Sequence, residues 1–285
     1  MKTKTAVAWA AALVISALTS AYSQGRPPAP PTPRIFIFDN GVINNNDPAA
    51  YNFKRGELKE LDLVNRSYLI VHPRGTLMFD SGAVTDSHFE RKSGTVTEGN
   101  MSATKPLLPQ LASVGYSPTD IDYFALSHYH QDHTANANAF ASATWIVQKA
   151  ERDFMFGGHP PGTYIAEDTV DALKNSKTEI LNNTDFDVFG DGTVVVMSAP
   201  GHTPGHQVVA VKLAKRGTVL LGGDLYHYPE ERKVDRVPTF EYDADQTRAT
   251  RARIEAFLRT NHAELWIEHD KVTHASLPLA PQYVE

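Results

Sequence analysis

The chain has 285 residues, 41% hydrophobic and 21% charged, a globular composition too apolar for a disordered segment. It contains no cysteine, which excludes disulfides, thiolate nucleophiles, iron–sulfur clusters and thiolate-bound zinc and leaves twelve histidines as the chemistry to follow. A formal charge of −6 with no basic stripe argues against a nucleic-acid partner and, more weakly, against polyanionic substrates.

Residues 1–23 read as a cleaved secretory signal: Lys2 and Lys4 precede an apolar run from Ala6 to Leu18, and the small residues Ser20, Ala21 and Ser23 follow. The run falls short of the ~20 residues a bilayer span requires, so an uncleaved anchor is disfavoured and no stable membrane insertion is expected after cleavage. Cleavage after Ser23 removes both lysines and no acid, taking the formal charge from −6 to −8, and implies a periplasmic or secreted protein. Residues 24–33 carry Pro27, Pro28, Pro30, Pro31 and Pro33, whose fixed φ and missing donors predict an extended linker.

Residues 34–285 read as one domain of alternating strands and helices. Ile35 to Phe38 is a short apolar strand, and Leu63–Val71 with Thr76–Phe79 forms a hairpin across His72-Pro73-Arg74-Gly75. Leu107–Val114 has helical spacing and stops at Gly115. Asp243, with Gln246 three residues on, resembles a capping box opening a helix with Ile254, Phe257 and Leu258 on one face; Arg248, Arg251 and Arg259 are its solvated side.

Four strand-like runs each lead to a residue able to bind metal: Ile121–Leu126 to His128, Val194–Met197 to His202, Thr218–Leu221 to Asp224, and Leu265–Ile267 to His269. Ligand sites in α/β proteins gather beyond strand ends, so these four ends are expected to share one cleft. The densest cluster is His128-Tyr129-His130-Gln131-Asp132-His133. Side chains two apart in extended chain point the same way, so His128 and His130 grip one ion while Asp132 and His133 turn toward a second. Imidazole and carboxylate without sulfur suit Zn²⁺, and equally Mn²⁺, Fe²⁺ or Co²⁺.

The loop Pro200-Gly201-His202-Thr203-Pro204-Gly205-His206 offers His202 as a third ligand of the first ion, its glycines permitting close backbone approach; His206 fits better behind the ligands or in the core. Gly222-Gly223-Asp224 supplies a carboxylate able to bridge two cations, and Glu268-His269-Asp270 supplies the last imidazole. His72, His88, His159, His262 and His274 are assigned to surface or ordinary packing.

These residues resemble, in identity and order, the metallo-β-lactamase superfamily, from Arg34 to the C-terminus. The resemblance implies an αββα sandwich and a dinuclear site: His128, His130 and His202 on the first metal, Asp132, His133 and His269 on the second, Asp224 bridging, and Asp80 of Asp80-Ser81-Gly82 behind the ligands. Asp224 stands where one β-lactamase subclass has cysteine and another lacks a bridging acid, which turns the reading away from β-lactamases. Glu268-His269-Asp270, the tail Leu277–Tyr283 and Gly223–Tyr228 are similar to the N-acyl-homoserine lactonase family. One departure stands out: His227 occupies the place of the family's lactone-contacting tyrosine, so Tyr226, Tyr228 or His227 itself is expected to serve, while Asn44–Asn46 and Phe154–Gly158 are candidates to line an acyl pocket or, equally, plain loop and core.

Two cations beside an ester carbonyl generate hydroxide from a shared water at neutral pH and polarise the carbonyl, so no serine nucleophile is required, and no Gly-x-Ser-x-Gly elbow is present. Asp132 or a metal-bound water is then expected to protonate the leaving alkoxide, with the oxyanion held by a metal and assisted by Tyr226 or His227. The expected function is an exported dinuclear lactonase acting on a small-molecule lactone, most simply an N-acyl-homoserine lactone. The alternatives are another hydrolase of the same fold, a β-lactamase or phosphodiesterase, and a metal-binding protein without turnover. Monomer and homodimer both stay open.

Overall fold

The structure, a computed structural model, describes residues 26–285 except 93, 161, 162 and 164; the expected signal segment lies outside the described residues. No helix among the described residues is long and apolar enough to cross a membrane. In chain order the strands are β1 (Arg34–Ile43), β2 (Leu63–His72), β3 (Gly75–Phe79), β4 (Val96–Glu98), β5 (Met101–Ala103), β6 (Tyr123–Ala125), β7 (Thr144–Gln148), β8 (Thr178–Leu181), β9 (Phe186–Asp187), β10 (Val194–Ser198), β11 (Gln207–Leu213), β12 (Gly217–Leu221), β13 (Glu264–Trp266) and β14 (Tyr283–Val284). The α-helices are α1 (Leu107–Ser113), α2 (Gln131–Thr134), α3 (Lys149–Gly157), α4 (Glu167–Val170), α5 (Pro229–Val234), α6 (Ala244–Asn261) and α7 (Lys271–Ala275).

Two sheets form. One runs β4-β5-β1-β2-β3-β6-β7-β8 with β14 added on β1, and the other runs β13-β12-β11-β10-β9. The period of two along each strand decides the layering. On β2, Tyr68 and Ile70 face the other sheet while Leu69 and Val71 face helices; on β11, Val209 and Val211 face the first sheet while Val208 and Ala210 lie under α6. The inner layer joins Ile35, Ile37, Leu77 and Phe79 to Val194, Val219, Leu221 and Trp266. Leu107, Leu111 and Met155 cover one outer face, Ile254 and Leu258 the other. This is the expected αββα sandwich. Each fully buried aliphatic side chain contributes about 1.5–3 kcal/mol, so three apolar layers hold the fold in a chain without cysteine.

The hairpin is tighter than its sequence suggests. His72 pairs with Gly75, leaving only Pro73 and Arg74 in the turn. The described part of the proline-rich stretch lies against the domain: Pro30 and Pro33 are buried, and Arg26 pairs with Asp122 at 2.6 Å. At α6, Asp243 caps the amides of Asp245 and Gln246, both at 3.0 Å. The reciprocal half of a capping box is missing because the Asp243 amide donates to Gly201 O at 2.9 Å, which ties the helix start to the His202 loop. Arg251 departs from the expected solvated side of α6. It is only 2% exposed, because its guanidinium reaches across to Leu225 O, Arg236 O and Glu231 instead of water.

Candidate metal centre

The four strand ends do converge. β6 delivers His128 and His130, and the first turn of α2 then swings Asp132 and His133 to a different side. The loop after β10 brings His202, the turn after β12 Asp224, and the end of β13 His269. Two overlapping donor sets result: His128, His130, His202 and Asp224 in one, Asp132, His133, His269 and Asp224 in the other, with donor atoms in each within 4.8 Å of one another. Asp224 belongs to both. His130 and Asp132 are partly exposed while the other five are buried, so the cluster opens at that edge, onto a cleft lined by Ile43, Met101, Tyr129 and Gln131.

Within the first set the Nδ1 of His130 lies 2.8 Å from His128 Nε2 and 3.1 Å from His202 Nε2, so three ring nitrogens point inward together. In the second, Asp224 Oδ1 lies 3.2 Å from His133 Nε2 and 3.0 Å from His269 Nε2. These three atoms are buried without a hydrogen-bond partner, a costly arrangement unless a cation completes it. The donor chemistry and the shared carboxylate therefore fit a pair of divalent ions.

The outward nitrogens are anchored. His128 Nδ1 meets Ser127 Oγ at 3.0 Å, His133 Nδ1 meets Asp80 Oδ2 at 3.1 Å, His202 Nδ1 meets Glu241 Oε1 at 3.0 Å, and His269 Nδ1 donates to Val64 O at 2.8 Å. Such contacts fix ring orientation before any ion arrives. Asp80 takes the role behind the ligands expected of it, with its other oxygen accepting from the Ser127 amide at 2.6 Å. His206 also lies behind them: its Nδ1 donates to Ala199 O at 3.1 Å and its Nε2 accepts the Asp224 amide at 3.0 Å.

Burial dominates the electrostatics, opposed by the density of opposite charge. It presses the His130 and His206 imidazoles down to about 3. For Asp132 and Asp224 burial favours the neutral form, but the surrounding histidines outweigh it and hold both well below the usual carboxylate range. Burial lowers His133, yet Asp132, Glu268 and Asp224 carry it well above its ordinary value. Asp224 and Asp132 thus stay anionic, as ligation requires.

The glycines of the His202 loop act as expected. A Cβ on Gly201 would stand 2.4 Å from the Thr247 amide nitrogen, and one on Gly205 would stand 2.6 Å from that of Glu151. Glu151 is a site residue that sequence reasoning missed. Fully enclosed on α3, it accepts the Tyr129 amide at 2.9 Å, Thr203 Oγ1 at 2.8 Å and the Gly205 amide at 2.8 Å, clamping both ligand loops together. Burial pushes its carboxyl up to about 7 against these hydrogen bonds. Glu241 was missed as well. Neither lies in a motif, and only the fold brings them to the loops they hold.

Tyr226 requires a correction. It was expected to contact substrate, but it is buried under α6 with Ile254 and Leu258, its ring against the Arg251 guanidinium and its hydroxyl 3.4 Å from Glu255. Tyr228 likewise turns away and donates to Leu61 O at 3.0 Å. Both have extended backbone, and in extended chain the residue between two such neighbours points to the opposite side. That residue is His227, whose Nε2 comes within 3.1 Å of Asp224 Oδ2. Asn44 and Asn46 bind backbone carbonyls of neighbouring segments, so they brace loops, whereas Phe154 stacks on Tyr129 beside the cleft.

A sandwich of this layering, with two donor sets sharing one aspartate at its strand ends, defines a class of metal-dependent hydrolases. Residues 62–263 match the family model of the metallo-β-lactamase superfamily, and the chain belongs to that superfamily. Among curated relatives, the N-acyl homoserine lactonase AttM of Rhizobium radiobacter is 26% identical over 88% of this chain and 98% of its own. Among solved structures, an N-acyl homoserine lactone hydrolase with N-hexanoyl-L-homoserine at its catalytic metal centre superposes with a TM-score of 0.71 at 24% identity, covering 88% of this chain and 98% of that one. The dizinc quorum-quenching lactonase AidC gives 0.64 at 21% identity, over 83% and 87%.

Proposed function

We propose that this protein is an exported dinuclear metallo-lactonase that opens the ester ring of N-acyl-homoserine lactones, with zinc as its metal. The observation that carries the reading is the pair of donor sets sharing Asp224, in a chain that spans nearly the whole length of relatives named for that activity. His128, His130 and His202 would hold one ion and Asp132, His133 and His269 the other, and Asp224 would serve both. When bound, two such ions supply an activated water at neutral pH and a Lewis acid for the ester carbonyl.

The chain's own residues do the rest. The cleft over His130 and Asp132 admits the lactone, and Ile43, Met101 and Tyr129 give its acyl chain an apolar wall. His227 faces the cluster from the side of Asp224 and hydrogen-bonds the bound ester, in place of a tyrosine. Asp132 takes the proton released by the attacking water and passes it to the alkoxide oxygen as the ring C–O bond breaks.

The test is metal content of the mature protein with hydrolysis of a long-chain N-acyl-homoserine lactone, a β-lactam run in parallel. About two ions per chain and lactone opening that a chelator abolishes and zinc restores are expected. Two ions with β-lactam turnover and no lactone opening would overturn the substrate assignment. The N-terminus of the protein recovered from the periplasm or medium tests export.

A further inference from the structure

His227 belongs to neither donor set, yet its ring lies nearly parallel to His269, 5.8 Å between centroids and 9° between planes, with the edges of Tyr51 and Phe240 against it. Behind it, 3.4 Å from Nδ1, stands Glu231 Oε1, which also accepts the His227 amide at 3.3 Å. Glu231 is fully buried. A lone carboxylate there is prohibitively costly, and Arg251, 2% exposed, meets its other oxygen at 2.7 Å. The same guanidinium donates to Leu225 O at 2.7 Å and Arg236 O at 2.5 Å, so it pins both ends of the segment carrying His227 to α6. A buried ion pair is often no more stabilising than apolar side chains of equal volume, so its place directly behind a ring that faces the site asks for a further reason.

We propose that Glu231, held by Arg251, is a positioning residue that grips the His227 amide and fixes the ring with Nε2 toward the substrate side of the metal centre. The amide contact and the two carbonyls held by Arg251 tie this segment to α6, so the ring stands on a rigid base. What His227 touches rests on the lactone reading; the Glu231–Arg251–His227 arrangement does not.

The experiment uses Glu231→Gln and His227→Ala, singly and together, in the metal-loaded full chain. Glu231→Gln keeps the shape and an acceptor for Arg251. It is expected to lower kcat on an N-acyl-homoserine lactone about tenfold with metal content intact. In the His227→Ala background it is expected to change kcat by less than about twofold, because its effect passes through the ring. The imidazole ¹⁵N resonances of His227 are expected to shift between the wild type and Glu231→Gln as the ring leaves its place. If that variant fails to fold, Arg251→Lys, which keeps the charge and loses the fork, is read by the same resonances. Equal losses in both backgrounds, or unchanged His227 resonances, overturn the proposal. If the wild type opens no lactone, the substrate reading fails and the resonances alone decide this one.

Discussion

Replacing Asp224 with alanine tests the shared-carboxylate geometry most directly. Its Oδ1 stands 3.2 Å from His133 Nε2 and 3.0 Å from His269 Nε2, and its Oδ2 stands 3.6 Å from His128 Nε2 and 3.3 Å from His202 Nε2. One substitution therefore strips an anionic donor from both sets at once, leaving three imidazoles on one side and two imidazoles with Asp132 on the other. The first set loses its one negative charge and the second loses half of its own, so both weaken and bound metal falls below about two ions per chain. If both ions are required, lactone turnover falls at least about a hundredfold, equivalent to about 2.7 kcal/mol of transition-state stabilisation. The assay is metal stoichiometry by mass spectrometry on the same sample used for lactone kinetics, with near-ultraviolet circular dichroism to establish folding. A folded variant that retains two ions and near-normal turnover would refute the bridging role of Asp224 and the dinuclear assignment with it.

Three further outcomes follow from the same geometry. Tyr226→Phe removes only a hydroxyl that faces Glu255, so kcat/KM should stay within about twofold; a tenfold loss would restore Tyr226 to the site. Gly201→Ala forces a Cβ against the Thr247 backbone, and overpacking of this kind costs about 1–3 kcal/mol, visible as a lowered denaturation midpoint and weaker metal retention; wild-type values for both would show that the loop yields. Glu151 has a folded-state value of about 7 against an ordinary 4.5, so its contribution to stability is full below pH 4.5 and is lost as pH rises through 7. Relative to Glu151→Gln, the metal-free wild type should lose stability across that window and no further; parallel stability curves would contradict it.

The sequence by itself determined the metal-ligand candidates and the strand runs that carry them, while the αββα layering came from the resemblance. Candidates and runs are local signals. Alternation along Val194–Met197 or Leu63–Val71 places two faces in two layers wherever the strand ends up, and His128, His130, Asp132 and His133 lie close enough in the chain that backbone geometry alone splits them between two sets. The resemblance then supplied the order in which the distant residues His202, Asp224 and His269 join them. Contacts without a local pattern were decided by the tertiary structure. Glu151 reaches the His202 loop across 52 positions, and Glu241 reaches His202 across 39. Among three consecutive candidates at 226–228, the extended backbone chose His227 and turned both tyrosines away. Arg251 has the sequence of a solvated helix face, and only packing of α6 against Leu225–Arg236 made burying it against Glu231 more favourable than leaving it in water.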